Sequence, residues 1–347
     1  MYDFVLFSPG SKYNRENRKW QGIPGITITP DGTLWATWYS GGDGEGPQNY
    51  VIVVNSKDKG ISWSDPVIVI DPFGEIRAFD PCLWTDPYGK IWLFWAMSEN
   101  WWDGKAGVWT ITGEKVGTEI IWSNPRKIAD GIMMNKPVIL TTGEWLFPVA
   151  VWNREPFLSE MKDLRFSNVY ISKDNGKTIK LIGSADVPDR TCDEHMIVEL
   201  KNGVLWMLVR TSYGIGESYS YDRGRTWAKG CPSKIAGPGS RFHIRRLNSG
   251  NLLLINHYGF KDKIRSHLTA MLSEDEGKTW CYQLLLDERE NVSYPDAIET
   301  EDGKIFIIYD YDRYGKKEIL MAVITEQDIK SGKIVMPDSK LKVPVDR

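Results

Sequence analysis

The chain of 347 residues carries 43 Lys and Arg against 46 Asp and Glu, a formal net charge of −3 with no long basic block, which argues against nucleic acid as the main partner. No apolar run reaches the length of about 18 residues that a membrane helix needs, so no membrane partner is predicted. The opening Met1-Tyr-Asp-Phe-Val-Leu-Phe lacks a basic segment, an apolar run and a small-residue cleavage site, so a cytoplasmic location is expected, although a trimmed secreted form would read the same.

Cys82, Cys192, Cys231 and Cys281 are widely separated, with no Cys-x-x-Cys and no neighbouring His pair. Reduced structural thiols are expected, and neither a metal site nor a required cofactor is predicted. The 16 Trp, 15 Tyr and 11 Phe, with 32 Gly and 18 Pro, suit aromatic-rich strands joined by many tight turns.

In chain order, six turns of one kind each lead into an apolar strand. They are Asp31-Gly32, Tyr88-Gly89, Thr142-Gly143, Asn202-Gly203, Ser249-Gly250 and Asp302-Gly303, with Gly-to-Gly spacings of 57, 54, 60, 47 and 53 residues. A second turn, Ser-x-Asp-x-Gly-x-Ser/Thr-Trp, recurs at Ser56–Trp63, Ser220–Trp227 and Ser273–Trp280, and at Ser172–Ile179 with Ile in the last place. Trp122-Ser-Asn-Pro125 marks a degenerate fifth copy. An Asp side chain accepting backbone N–H groups, a Gly at positive φ and a packing Trp make these boxes structural. Repeated four-stranded modules without helical periodicity predict an all-β, six-bladed β-propeller with Asp-box turns, one domain over residues 1–347.

If both turn types lie on one face, the inter-blade loops and the loops between second and third strands meet on the other, around the channel mouth. That face collects Asp43 and Glu45, Arg77 and Asp80, Trp101 and Trp102, Trp152 and Arg154, Glu194 and His195, Arg210, Arg241, Arg265, Tyr294 and Arg313. Arginines and carboxylates around one mouth predict a hydroxylated, anionic small molecule, its carboxylate clamped by Arg forks. The tryptophans either stack on sugar faces or pack between loops.

These residues resemble the sialidase (neuraminidase) superfamily of Asp-box propellers over essentially the whole chain. Glu194-His-Met-Ile-Val-Glu-Leu-Lys-Asn-Gly203, leading to Arg210, is similar to the segment that carries the family's catalytic Glu and a carboxylate-binding Arg. Arg265 before Ser273 resembles a further family arginine, and Ser293-Tyr294 the family's nucleophilic Tyr. The resemblance implies Tyr294 as nucleophile, Glu194 as its partner base, and Asp43, with Glu45 close behind, as acid/base. It implies Arg210 and Arg265 as substrate ligands; Arg77, Asp80, Arg241 and His195 are expected to bind substrate from their places on the same loop face. The family opens with Arg-Ile-Pro, whereas this chain reads Gly22-Ile23-Pro24, so the first arginine is missing and Arg77, Arg241 or Arg245 would have to replace it.

The expected activity is that of an exo-acting glycoside hydrolase releasing a terminal acidic sugar from a glycan. A Tyr nucleophile suits an anomeric centre that already bears a carboxylate. The alternatives are a non-catalytic carbohydrate-binding propeller, or an inverting hydrolase or lyase using a spare acid such as Asp80, Asp296 or Asp312. His195 is either a general acid/base or a loop hydrogen-bonding residue.

Overall fold

A computed structural model describes all residues except 1, 2, 100, 101 and 156. Six antiparallel sheets follow one another along the chain, and in each, Val5–Phe7 apart, the first strand is innermost and later strands step outward. The innermost strands are Gln21–Ile28, Arg77–Thr85, Val138–Ile139, Arg190–Glu199, His243–Arg246 and Val292–Glu299. Blade one gains an outer fifth strand from Val5–Phe7, which pairs with Ile68–Ile70. The result is the six-bladed propeller that the repeats predict.

The Asp boxes form as their residues require. In the first, Ser56 donates to Asp58 at 2.8 Å, Gly60 N–H donates to the Ser56 hydroxyl, and the Ser62 N–H and hydroxyl both donate to Asp58. The same bonds recur around Asp174, Asp222 and Asp275. Hydroxyl and backbone donors hold these four carboxylates at about 2. The box glycine also serves as a contact point between blades. A Cβ on Gly176 would come within 2.5 Å of Trp92 in the preceding blade, and one on Gly277 within 2.4 Å of Trp206. Blade six has no box; there a helix, Glu326–Ser331, closed by a Thr325/Asp328 capping box, joins its last two strands.

Both turn types share a face, as their common lining of a groove of about 910 Å³ shows: Asp31 and Tyr88 from Gly turns stand with Asn175 and Gly176 from a box. The apolar core lies between adjacent sheets, with Trp20, Trp38, Trp95 and Trp145 fully buried or nearly so. At the centre, where inner strands converge, charges cross the channel. Asp296 of blade six accepts from Ile26 N–H of blade one at 2.8 Å and from Lys136 of the blade-three segment, while His243 Nδ1 of blade five stands 3.2 Å from it. Burial opposes ionisation of Asp296, but Lys136, His243 and Arg241 outweigh it and hold the carboxyl far below its usual range.

Candidate active site

Four of the inner strands break register at the same place. Between Gly22 and Gly25, Phe79 and Cys82, Asp193 and Met196, and Ser293 and Asp296, two residues oppose one on the second strand, each a β-bulge. The first bulged residue is left-handed in every case: Ile23 at φ 58°, Asp80 at 47°, Glu194 at 43° and Tyr294 at 53°. For non-glycine residues this costs on the order of 1–3 kcal/mol each, and it persists only where the surroundings enforce it. They do so here. Ile23 N–H donates to Asp310, Ser293 donates to the same carboxylate, and the Asn135 amide donates to the carbonyls of Glu194 and His195. The bulges re-aim Asp80, Glu194 and Tyr294 from three blades into one cavity of about 130 Å³ at the channel mouth.

Inside it, Tyr294 Oη donates to Glu194 Oε1 at 2.8 Å, and Arg210 Nη1 donates to Tyr294 Oη at 2.8 Å and to Glu194. Arg265 and Arg313 lie against the Tyr294 ring, their guanidinium carbons 5.2 and 4.3 Å from its centroid. Burial raises the Tyr294 phenol well above its ordinary value, Glu194 adds to this, and the three arginines oppose it. The phenol is therefore neutral, with a carboxylate in place to take its proton.

The cavity brings together Tyr294, Glu194, Arg210, Arg265, Arg77 and Asp80. Three other expected residues stand elsewhere. Asp43 is 86 % exposed and pairs with Lys19 at 3.0 Å, because its glycine-rich loop carries it out to solvent. Arg241, 1 % exposed, is tied below the cavity to Asn135 at 2.8 Å and to the carbonyls of Pro24 and Met134. His195, the second residue of the bulge, is buried away from the cavity, its Nε2 donating to the Asn168 carbonyl at 2.9 Å. Arg245 faces the opposite mouth of the channel. Of the tryptophans, Trp101 is outside the described residues, while Trp152 is buried against Trp102, with Arg154 stacked 4.0 Å over the latter.

Glu45, which the resemblance placed close behind Asp43, also lines the cavity, as do Arg154 and Arg313, to which the sequence gave no role beyond the loop face. The position of Arg313 accounts for the missing arginine. A Cβ on Gly22 would lie 2.7 Å from Arg313 Cδ and 2.8 Å from its Nε, so the absent side chain at 22 leaves the path that Arg313 takes from blade six. Its Nε donates to Asp310 at 2.9 Å and its Nη2 to Ser293 at 3.0 Å. The signal available in sequence was the bulge itself: Ile23-Pro24, Asp80-Pro81 and Tyr294-Pro295 place the same dipeptide pattern in three inner strands.

Burial pushes His195, His243 and His257 down to about 4. Their imidazole NMR signals should therefore remain those of neutral rings until the pH approaches 4. An unfolded chain takes up these protons near 6.5, so each of the three withdraws stability as pH falls through that window. Asp193, raised to about 6 mainly by burial, works in the opposite sense and loses its contribution as pH rises.

Fold and site together define a class, the sialidase-superfamily propellers built from Asp-box modules. Residues 32–307 match the family described as BNR repeat-like domain, and the chain belongs to that family. No curated protein matches the sequence. Among solved structures, the Hadza microbial sialidase Hz136 superposes with a TM-score of 0.72 at 20 % identity, over 90 % of this chain and 67 % of that one. The intramolecular trans-sialidase of Ruminococcus gnavus gives 0.68 at 14 % identity, over 95 % and 99 %. A Dyadobacter fermentans protein of unknown function gives 0.68 at 17 %, over 90 % and 96 %. At these identities the likeness is one of fold, that of sialidase-like glycoside hydrolases.

Proposed function

We propose that the protein is an exo-acting glycosidase of the sialidase type that releases a terminal acidic sugar from a glycan. The observation that carries this reading is the Tyr294–Glu194–Arg210 contact, in which a neutral phenol, its base and a cation meet within hydrogen-bond distance. Arg210, Arg265 and Arg313 would clamp the sugar carboxylate. Tyr294 would attack the anomeric carbon while Glu194 takes its proton. A neutral phenol approaches an anionic centre with less repulsion than a carboxylate would, which favours this pairing over a second acid as nucleophile. A small pocket, rather than an open groove, suits the end of a chain.

The test is release of fluorophore from 4-methylumbelliferyl α-sialoside, alongside aryl glycosides of other sugar acids. Turnover of one of these supports the reading; binding of sugar acids without any turnover would make the protein a carbohydrate-binding propeller instead. Arg313 has its own expected result. Arg313→Ala should weaken binding of free sialic acid, measured by calorimetry, by about 1.5–3 kcal/mol, roughly 10- to 150-fold, as loss of a charge-assisted bond does. Gly22→Ala should act in the same direction, because its methyl takes the space of a flexible side chain and displaces it without disturbing the sheet.

A further inference from the structure

The channel has a second mouth, and the pocket there is larger than the cavity that holds Tyr294. It encloses about 450 Å³, within the range of about 300–1,000 Å³ usual for small-molecule sites. Its wall is mainly apolar, supplied by Trp84, Pro137, Val138, Met196, Val198 and Ile244 from blades two to five. Lys136 and His243 of the central charge cluster complete it on the inner side.

Among the described residues, five charged groups line this pocket, and four are already engaged. Asp86 accepts from the Tyr88 and Lys90 N–H groups and the Trp92 indole, and Glu199 from the N–H and hydroxyl of Thr141. Arg246 donates to Glu276, and Lys136 to Asp296. Arg245 differs. Its Nη1 donates to the Ala297 carbonyl at 3.3 Å, its Nε is buried without a hydrogen bond, and it has no ion-pair partner among the described residues. Burial pushes its pKa below the usual guanidinium value, while Glu299 and Asp296 oppose this from beyond contact distance. His243 stands two residues before Arg245 on the same strand, so the two side chains share a face. It is 1 % exposed, and neither ring nitrogen is hydrogen-bonded among the described residues. Buried polar groups are nearly always paired, so two unsatisfied ones on one pocket wall mark what the empty pocket lacks.

We infer that this pocket binds a small organic monocarboxylate with an apolar body, its carboxylate on the Arg245 guanidinium and its body against Trp84, Met196 and Val198. A carboxylate matches the fork of a guanidinium and supplies the counter-charge that Arg245 lacks. His243 offers the same ligand a second polar contact. A dianion would meet repulsion from Asp86 and Glu199. A sugar would lose the water on its hydroxyls against a wall with few partners for them. Nothing in this pocket depends on the chemistry at the other mouth.

The test is a fluorine NMR titration with 4-fluorophenylacetate, and with 4-fluorophenylacetamide as its neutral counterpart, on wild type, Arg245→Gln, Ile139→Glu and Arg265→Ala. The acid should give a saturable shift with wild type, and the amide much less. Arg245→Gln should weaken the acid about 10- to 150-fold, as loss of a charge-assisted bond does. Ile139 lines the pocket at 38 % exposure, so Ile139→Glu should fold normally and weaken the acid too, by placing a like charge at the rim. It decides the matter if Arg245→Gln does not fold. Arg265→Ala should bind as wild type does, because Arg265 lines the Tyr294 cavity. The inference is overturned by an acid that does not bind wild type or by an amide that binds equally well. Binding lost in Arg265→Ala and kept in Arg245→Gln and Ile139→Glu also overturns it, since the acid would then sit beside Tyr294.

Discussion

Tyr294→Phe should lower kcat by roughly 10³-fold or more, with KM for the aryl sialoside little changed. Only one oxygen is lost, and the ring that Arg265 and Arg313 rest against remains. Glu194→Gln should cost about 10²–10⁴-fold, the usual worth of a placed general base. The amide keeps an acceptor for Arg210 but cannot take a proton. Because the phenol and the carboxylate act on the same proton, the double variant should be no slower than the slower single variant. Additive losses in such a cycle, or a Tyr294→Phe protein as active as wild type, would mean that the contact in the cavity is structural. Thermal melts of all three variants are the control, since Glu194 also holds Arg210 in place.

The largest effect on stability is expected at Lys136→Met. Lys136 is 9 % exposed and pairs with Asp296, which is 1 % exposed, at the point where blades one, three, five and six meet. Removing the ammonium leaves a buried carboxylate with, among the described residues, Arg241 at 3.7 Å and His243 at 3.2 Å as its remaining ion-pair partners. Breaking a buried pair from one side costs about 3–5 kcal/mol, read as a lower urea midpoint. Asp296→Asn in the Lys136→Met background should recover part of the loss, because the amide oxygen can still accept the Ile26 N–H while the unpaired charge is gone. Should the single variant unfold at the wild-type midpoint, Lys136 contributes nothing to ring closure. On the acid side, the wild-type pair is expected to weaken only in strong acid. Asp296 is depressed in the folded state, so its contribution is present above the unfolded value of 3.8 and is lost as pH falls below it.

The two sites are linked by architecture. The bulge that turns Tyr294 outward to the cavity restores the strand in time for Asp296, two residues later, to face the channel. One short segment, Ser293–Asp296, thus contributes to both the candidate chemistry and the closure of the ring. Ser293 and Ile23 N–H share the Asp310 carboxylate, which in turn orients Arg313. Substitutions at Asp310 would therefore reach both.

Much of this was legible in the chain. Six Gly turns and the Asp boxes repeat local bonding patterns that four to eight consecutive residues can satisfy by themselves, so the blades follow from sequence, and with them the grouping of Glu194, Arg210, Arg265 and Tyr294 by register. What the tertiary structure alone decided depends on residues far apart in sequence. The displacement of Asp43 to solvent, the anchoring of Arg241 beneath the cavity and the burial of His195 against the Asn168 carbonyl depend on loop paths and neighbouring blades, which a residue list does not contain. Arg313 of blade six occupies the volume on blade one that a side chain at Gly22 would take. Turns obey short-range geometry; charge balance in a closed pocket depends on which distant side chains the ring brings together.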